Sequence, residues 1–225
     1  MNDALAGALG VRLVRADHIG VRIGPEWVQR FRYFDRILER IESVDGTVVE
    51  CGVAGGQSLA MFASLMRARG DTRSLWGFDS WTGLPDPTSE DLASDSTRAV
   101  GGLFGWAGQS LVRSELKSHG FEDAEISELV TLVKGDFRDT LDTYAGGPIA
   151  VLHLDVDLYD SYRVALASLW RFVAIGGVVA FDEYEDTVAW PGARKAVDEF
   201  IADQRAEVEL VHDEDAMKTF AIRRG

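Results

Sequence analysis

The chain has 225 residues, 46% of them hydrophobic, a length and composition suited to one α/β domain with a sizeable core. Its formal net charge of −14 argues against binding a nucleic-acid backbone or an anionic membrane surface. Its single cysteine, Cys51, excludes an internal disulfide and is expected to be packed and inert.

The start, MNDALAGALGVRLVRADH, lacks a basic segment followed by a clean apolar stretch, and no apolar run reaches membrane-spanning length. The expectation is a cytoplasmic protein with no signal peptide and no transmembrane helix. Residues 1–44 form an N-terminal helical segment in this reading. Within it, Trp27, Val28, Phe31, Phe34, Ile37, Leu38 and Ile41 recur at helical spacing and predict a helix over 25–43 with one buried stripe. Its arginines, Arg30, Arg36 and Arg40, read as a solvated face.

From Thr47 onward strand-like and helix-like segments alternate. Strands are expected over 47–51, 75–79, 129–134, 149–155, 176–181, 207–211 and 217–222, and helices over 57–69, 109–119, 137–145, 159–173 and 192–203. This alternation predicts a mainly parallel sheet with helices on both faces. The last two strands have no helix between them and should form a terminal antiparallel hairpin. The expected fold is a single Rossmann-like, seven-stranded α/β domain of the class I methyltransferase type.

The first strand runs into VECGVAGGQS, a glycine-rich turn before a helix. Glycine permits a tight turn and a close approach to a ligand, and the helix start offers free N–H groups. Neither the dinucleotide fingerprint, which lacks its middle glycine at Ala54, nor a phosphate loop is present. Glu50, Gly52, Val53, Gly55 and Ser58 are candidate cofactor contacts. Asp79 and Ser80 close the second strand, where an acid commonly binds ribose hydroxyls. The alternative for this pair of features is a structural turn and a capping acid. Together they indicate an adenosyl-type ligand.

Residues 82–108 interrupt the rhythm with a long Gly-, Pro- and Ser-containing connection, expected to be a lid or mobile loop. Phe104 and Trp106 either cover a ligand or pin the loop to the core. Asp136 and Phe137 follow the third strand. Asp136 suits an adenine amino group and Phe137 the ring, while a helix N-cap is the competing role for Asp136.

Two apolar runs end on acid. IAVLHL at 149–154 stops at Asp155, and GGVVAF at 176–181 stops at Asp182 and Glu183. Ligands in open α/β sheets bind beyond the carboxyl ends of the strands, so the three carboxylates should meet at one edge. Hard oxygen donors of this kind suit Mg²⁺. His153 precedes Asp155 on the same strand face, as a base, a metal neighbour or a hydrogen-bonded core residue. Tyr159, Tyr184 and Trp190 are candidates for the wall of an acceptor pocket.

The stretches VVECGVAGGQSL, GFDSWTGLPDP, VKGDFRDTL, VLHLDVDLYDS, GGVVAFDEYED and WPGARKAVDEF resemble, in order, those of the macrocin O-methyltransferase (TylF-like) family. The resemblance implies methylation of a hydroxyl, mainly on sugars of antibiotic glycosides, with S-adenosylmethionine and Mg²⁺ as cofactors, by a homo-oligomer. Asp155, Asp182 and Glu183 match the metal positions, Glu183 standing where many relatives have aspartate. Asp155 also matches the proposed general base, while Asp157 either orients neighbours or contacts substrate. Two other classes fit parts of the pattern: a non-catalytic binder of S-adenosylmethionine, and a nicotinamide-dependent oxidoreductase.

Overall fold

The computed structural model describes residues 24–93 and 98–225. The earlier part of the expected N-terminal helical segment, and residues 94–97 of the long loop, lie outside them. The chain order is α1 (Pro25–Arg40), β1 (Thr47–Cys51), α2 (Gln57–Arg69), β2 (Leu75–Asp79), α3 (Gln109–Ser118), α4 (Asp123–Leu129), β3 (Val130–Lys134), α5 (Phe137–Thr140), β4 (Ile149–Leu154), α6 (Tyr159–Leu169), β5 (Val173–Phe181), α7 (Pro191–Asp203), β6 (Val208–Asp213) and β7 (Lys218–Arg223).

The strands form one seven-stranded sheet in the order β3-β2-β1-β4-β5-β7-β6. The first five pair in parallel, and β7 joins antiparallel to both β5 and β6. The expected sheet and terminal hairpin are therefore present. The strand order reverses between β1 and β4, which opens a crevice at their carboxyl ends. Both strands are buried along their whole length, as central parallel strands covered on two faces must be. Two apolar clusters, one on each side of the sheet, form the core.

Several boundaries differ from expectation. The helix expected over 137–145 is one short α-turn followed by a 3₁₀ turn at Leu141–Thr143. That expected over 159–173 gives way at Trp170 to a 3₁₀ turn, and β5 begins at Val173 rather than 176. Helix α4 had no counterpart in the sequence reading. A reciprocal capping box between Glu122 and Glu125 starts it, and it runs directly into β3. In α1 the buried stripe is shorter than expected. Tyr33, Phe34, Ile37 and Leu38 are buried, but Trp27, Val28 and Phe31 stay 39%, 44% and 41% exposed.

The 82–108 connection is closed on itself at its neck and tied to the fold further along. At its neck, Leu84 and Gly102 each donate a backbone hydrogen bond, to Leu103 and Leu84 respectively, both at 2.8 Å. Further along, buried Asp91 accepts from the amide and hydroxyl of Thr88 and, at 2.7 Å, from the amide of Tyr159 at the start of α6. Gly192 lets α7 approach this carboxylate, because a Cβ there would lie 2.0 Å from Asp91 Oδ1.

Candidate functional site

A cleft of about 810 Å³ opens at the carboxyl ends of β1, β2, β3 and β4. The glycine turn forms its floor. Gly52 has φ +88°, and a Cβ there would lie 1.7 Å from the carbonyl oxygen of Asp155. Only glycine lets the end of β1 pass so close to the end of β4. The next residues continue the tight turn, with φ +43° at Ala54 and +91° at Gly56, before α2 begins.

Asp79 laces this turn together. Its Oδ2 accepts from the amide of Ala54 at 2.8 Å and its Oδ1 from that of Trp81 at 2.6 Å. The indole of Trp81 in turn donates to the carbonyl of Ala54 at 3.0 Å. A carboxylate has further lone pairs, so Asp79 keeps acceptor capacity toward the cleft it lines. Asp136 is the N-cap of α5, accepting from the amide of Arg138 at 2.8 Å, and it too lines the cleft.

Of the expected cofactor residues, Glu50, Gly52, Val53, Ser58, Asp79, Ser80, Asp136 and Phe137 all line the cleft, and so does Asp155. Gly55, Asp182 and Glu183 are not on its wall. From the long loop, Leu84, Pro85 and Phe104 reach the wall, whereas Trp106 is 67% exposed and does not.

Parallel pairing brings the acids together. Leu154 lies opposite Phe181 in the sheet, and the amide of Asp182 donates to the carbonyl of Leu154 at 2.9 Å. Asp155 and Asp182 therefore leave adjacent strand ends side by side. Arg30, expected to be solvated, reaches over from α1 and bridges them. Its Nη1 lies 2.8 Å from Ser58 Oγ and 3.3 Å from Asp155 Oδ2, and its Nη2 lies 2.5 Å from Asp182 Oδ1. Lys218 of β7 approaches Asp182 from the other side, with Nζ 3.1 Å from Oδ1.

These cations set the charge states. Burial opposes ionisation of Asp182, but Arg30 and then Lys218 outweigh it and hold its carboxyl at about 2. Asp155 is pushed up, by burial and then by neighbouring Asp182. Asp157 rises to about 8, by burial followed by the charges of Asp155 and Asp182. Its backbone sits in the left-handed region at φ +59°, and the residue lines the cleft.

Glu183 stays beside the pair, its carboxyl pushed well up by burial first and by the charge of Asp155 second. Its Oε2 accepts from the Tyr162 hydroxyl at 2.6 Å and from the amide of Asp157 at 3.3 Å. One layer deeper on β4, His153 meets Glu50 of β1, with Nδ1 3.1 Å from Oε1. Burial holds the imidazole down at about 3 and pushes the Glu50 carboxyl well up.

The donor chemistry fits a small divalent cation. Two carboxylates converge from adjacent strands on a positive charge, which the guanidinium of Arg30 now supplies. A ring nitrogen of His153 joins oxygens of Asp155 and Asp182 in a group within 4.8 Å of one another. The sequence reading placed Asp155 and Asp182 together correctly and missed both cations. Arg30 carried a signal, since it stands one turn before Phe34 on the buried stripe of α1.

Residues 23–220 match the macrocin-O-methyltransferase (TylF) family. The chain is 34% identical over 146 residues to the 8-demethyl-8-(2,3-dimethoxy-alpha-L-rhamnosyl)-tetracenomycin-C 4'-O-methyltransferase of Streptomyces olivaceus, covering 64% of this chain and 54% of that protein. It is 33% identical over 162 residues to the demethyldecarbamoylnovobiocin O-methyltransferase of Streptomyces niveus, covering 71% and 60%. It thus spans less than two thirds of either relative. Among solved structures, the O-methyltransferase NovP superposes with a TM-score of 0.74 at 28% identity, covering 88% of this chain and 81% of that one. The calicheamicin methyltransferase CalS11 shares the fold, with a TM-score of 0.79 at 24% identity over 99% and 90% of the two chains.

Proposed function

The chain belongs to the macrocin-O-methyltransferase (TylF) family, and from that membership we propose that it methylates a hydroxyl of a small glycosylated natural product. The methyl donor in this reading is S-adenosylmethionine, whose sulfonium supplies an electrophilic methyl group. One observation carries the proposal: the glycine turn with Asp79 and the acid-terminated strand β4 open into the same cleft.

The residues divide the work. Gly52, Val53 and Ser58 present the turn and the helix start to the cofactor, Asp79 and Ser80 take the ribose, and Asp136 and Phe137 take the adenine. Asp155 and Asp182 hold a divalent cation, with Glu183 beside them. The family's expected ion is Mg²⁺, which when bound supplies Lewis-acid activation of the acceptor hydroxyl. Asp155 accepts the hydroxyl proton as the oxygen attacks the methyl carbon and the carbon–sulfur bond breaks. Asp157, at the cleft wall, positions the acceptor. Much of the acceleration comes from holding both reactants in line.

Relatives acting on tetracenomycin and novobiocin precursors support a glycoside acceptor of the antibiotic type. A homo-oligomer acting on a small molecule, without nucleic acid or membrane, completes the reading. Among the described residues no helix is long and apolar enough to cross a membrane.

The test is calorimetric binding of S-adenosylmethionine, followed by methyl transfer to a panel of deoxysugar glycosides with and without EDTA. Transfer that stops with EDTA and returns with Mg²⁺ supports the full reading. Transfer indifferent to chelation removes the metal from it, and cofactor binding without transfer to any glycoside favours a binding protein.

A further inference from the structure

Below the acidic pair, two deeply buried polar atoms have no hydrogen-bond partner among the described residues: Nε2 of His153 and Oε2 of Glu50. The two residues are 1% and 2% exposed. Leaving such an atom unpaired forfeits its hydration without return, so a native fold keeps few of them. The ring has little freedom to turn away. Phe34 and Phe62 pack edge-on against it at 5.0 and 5.8 Å, and Glu50 holds Nδ1.

His153 lies with Asp155 and Asp182 in the group spanning 4.8 Å. Two donors about 2.1 Å from one ion are roughly 3.0 Å apart in adjacent positions and roughly 4.2 Å apart in opposite ones. The three side chains therefore need to close by up to about 1.8 Å to share one ion. Glu183 spends Oε2 on Tyr162 and the Asp157 amide while its carboxyl stays in contact with Asp155, so a histidine nitrogen would join it as a donor of another kind.

We propose that His153, through Nε2, is an inner ligand of the cation held by Asp155 and Asp182, and that the nitrogen favours Mn²⁺ or Co²⁺ over Mg²⁺. The proposal rests on the reading of the acidic pair as a divalent-cation site. A metal-bound histidine commonly gives its other ring nitrogen to a carboxylate, the role Glu50 fills, and this orients the ring and strengthens the ligand. Carboxylates alone suit Mg²⁺, whereas imidazole suits first-row transition ions. Arg30 occupies the same pair of carboxylates, so its guanidinium must give way when the ion enters.

The test uses the chelator-treated full chain without S-adenosylmethionine, and Mn²⁺, Co²⁺ and Mg²⁺ as probes. Electron spin-echo envelope modulation of the Mn²⁺-loaded protein should show a directly bonded ¹⁴N that His153→Gln lacks. Calorimetry should show Mn²⁺ or Co²⁺ binding at least about tenfold tighter than Mg²⁺, with the preference lost in His153→Gln and affinity reduced roughly 10–100-fold in Glu50→Gln. Bound Mn²⁺ without ¹⁴N modulation overturns the histidine ligand and leaves the acidic-pair site standing. A parent protein that binds none of the three ions overturns the cation site itself, and the histidine ligand with it.

Discussion

Arg30 Nη2 lies 2.5 Å from Asp182 Oδ1, an ion pair between residues 152 apart in sequence. It fastens the first helix to the end of β5 and places a positive charge where the family reading places a metal. In the proposed reading, protein cation and metal ion compete for one pair of carboxylates, and that competition is measurable.

Replacing Arg30 with Met should lower the stability of the chelated protein by about 1–3 kcal/mol, since the two acids lose their partner in a partly buried site. Saturating divalent cation should narrow that gap by restoring the charge. Differential scanning calorimetry with and without metal is the check. A gap unaffected by metal would show that the ion binds elsewhere.

Asp155→Asn should cut methyl transfer by about 10²-fold or more, the range for loss of a general base. Binding of S-adenosylmethionine should persist, because the glycine turn and Asp79 are untouched. Parallel calorimetry and turnover measurements separate the two effects. Equal loss of both would point to a collapsed cleft rather than lost chemistry.

Two glycines with positive φ offer a matched comparison. At Gly52 a Cβ would collide with the Asp155 carbonyl, while at Gly70 none of the described residues lies within 4 Å. Gly70→Ala should cost about 1 kcal/mol for its backbone strain alone. Gly52→Ala should cost about 3 kcal/mol or more and abolish cofactor binding, as read by urea unfolding and calorimetry.

Burial pushes the Cys51 thiol well up, with Glu50 and then Asp79 adding to the effect. The thiolate is the reactive form. Iodoacetamide should therefore label the protein only as it unfolds, with labelling following the urea transition. Rapid labelling of the native protein would contradict the packing of β1.

Glu50 has a raised carboxyl in the fold, through burial first and Asp155 second. Its contribution to stability is thus complete below its ordinary value of 4.5 and is lost as pH rises toward the folded value. The chelated Glu50→Gln variant lacks this loss. Relative to the parent, it should gain up to about 1.4 kcal/mol per pH unit above that point. Urea unfolding over a pH series reads the trend, and a flat difference would mean Glu50 is ionised in the fold.

Strand ends were legible because apolar runs stop where acids begin, and this alone located Asp155, Asp182 and the crevice. The partners of those acids were not. Arg30 looks solvated in a helical projection that does not show where α1 crosses the sheet, although its spacing from Phe34 put it on the inner stripe. Lys218 depended on the antiparallel return of β7, whose register no local pattern specifies. His153 reads as a base, a metal neighbour or a hydrogen-bonded core residue, and it is buried. What periodicity does not show is that, among the described residues, only one of its nitrogens has a partner. Helix α4 went unseen because its capping box leads without a break into β3.

Asp91 ties the long loop to the amide that begins α6, and α6 carries Asp160 and Ser161 on the cleft wall. The loop therefore behaves as an arch with a fixed keystone. Substitutions on its spans, at Leu84, Pro85 or Phe104, can re-line the cleft without unseating the helix beneath. In the proposed reading, a change of acceptor would then alter these spans while the carboxylates and the glycine turn stay in register.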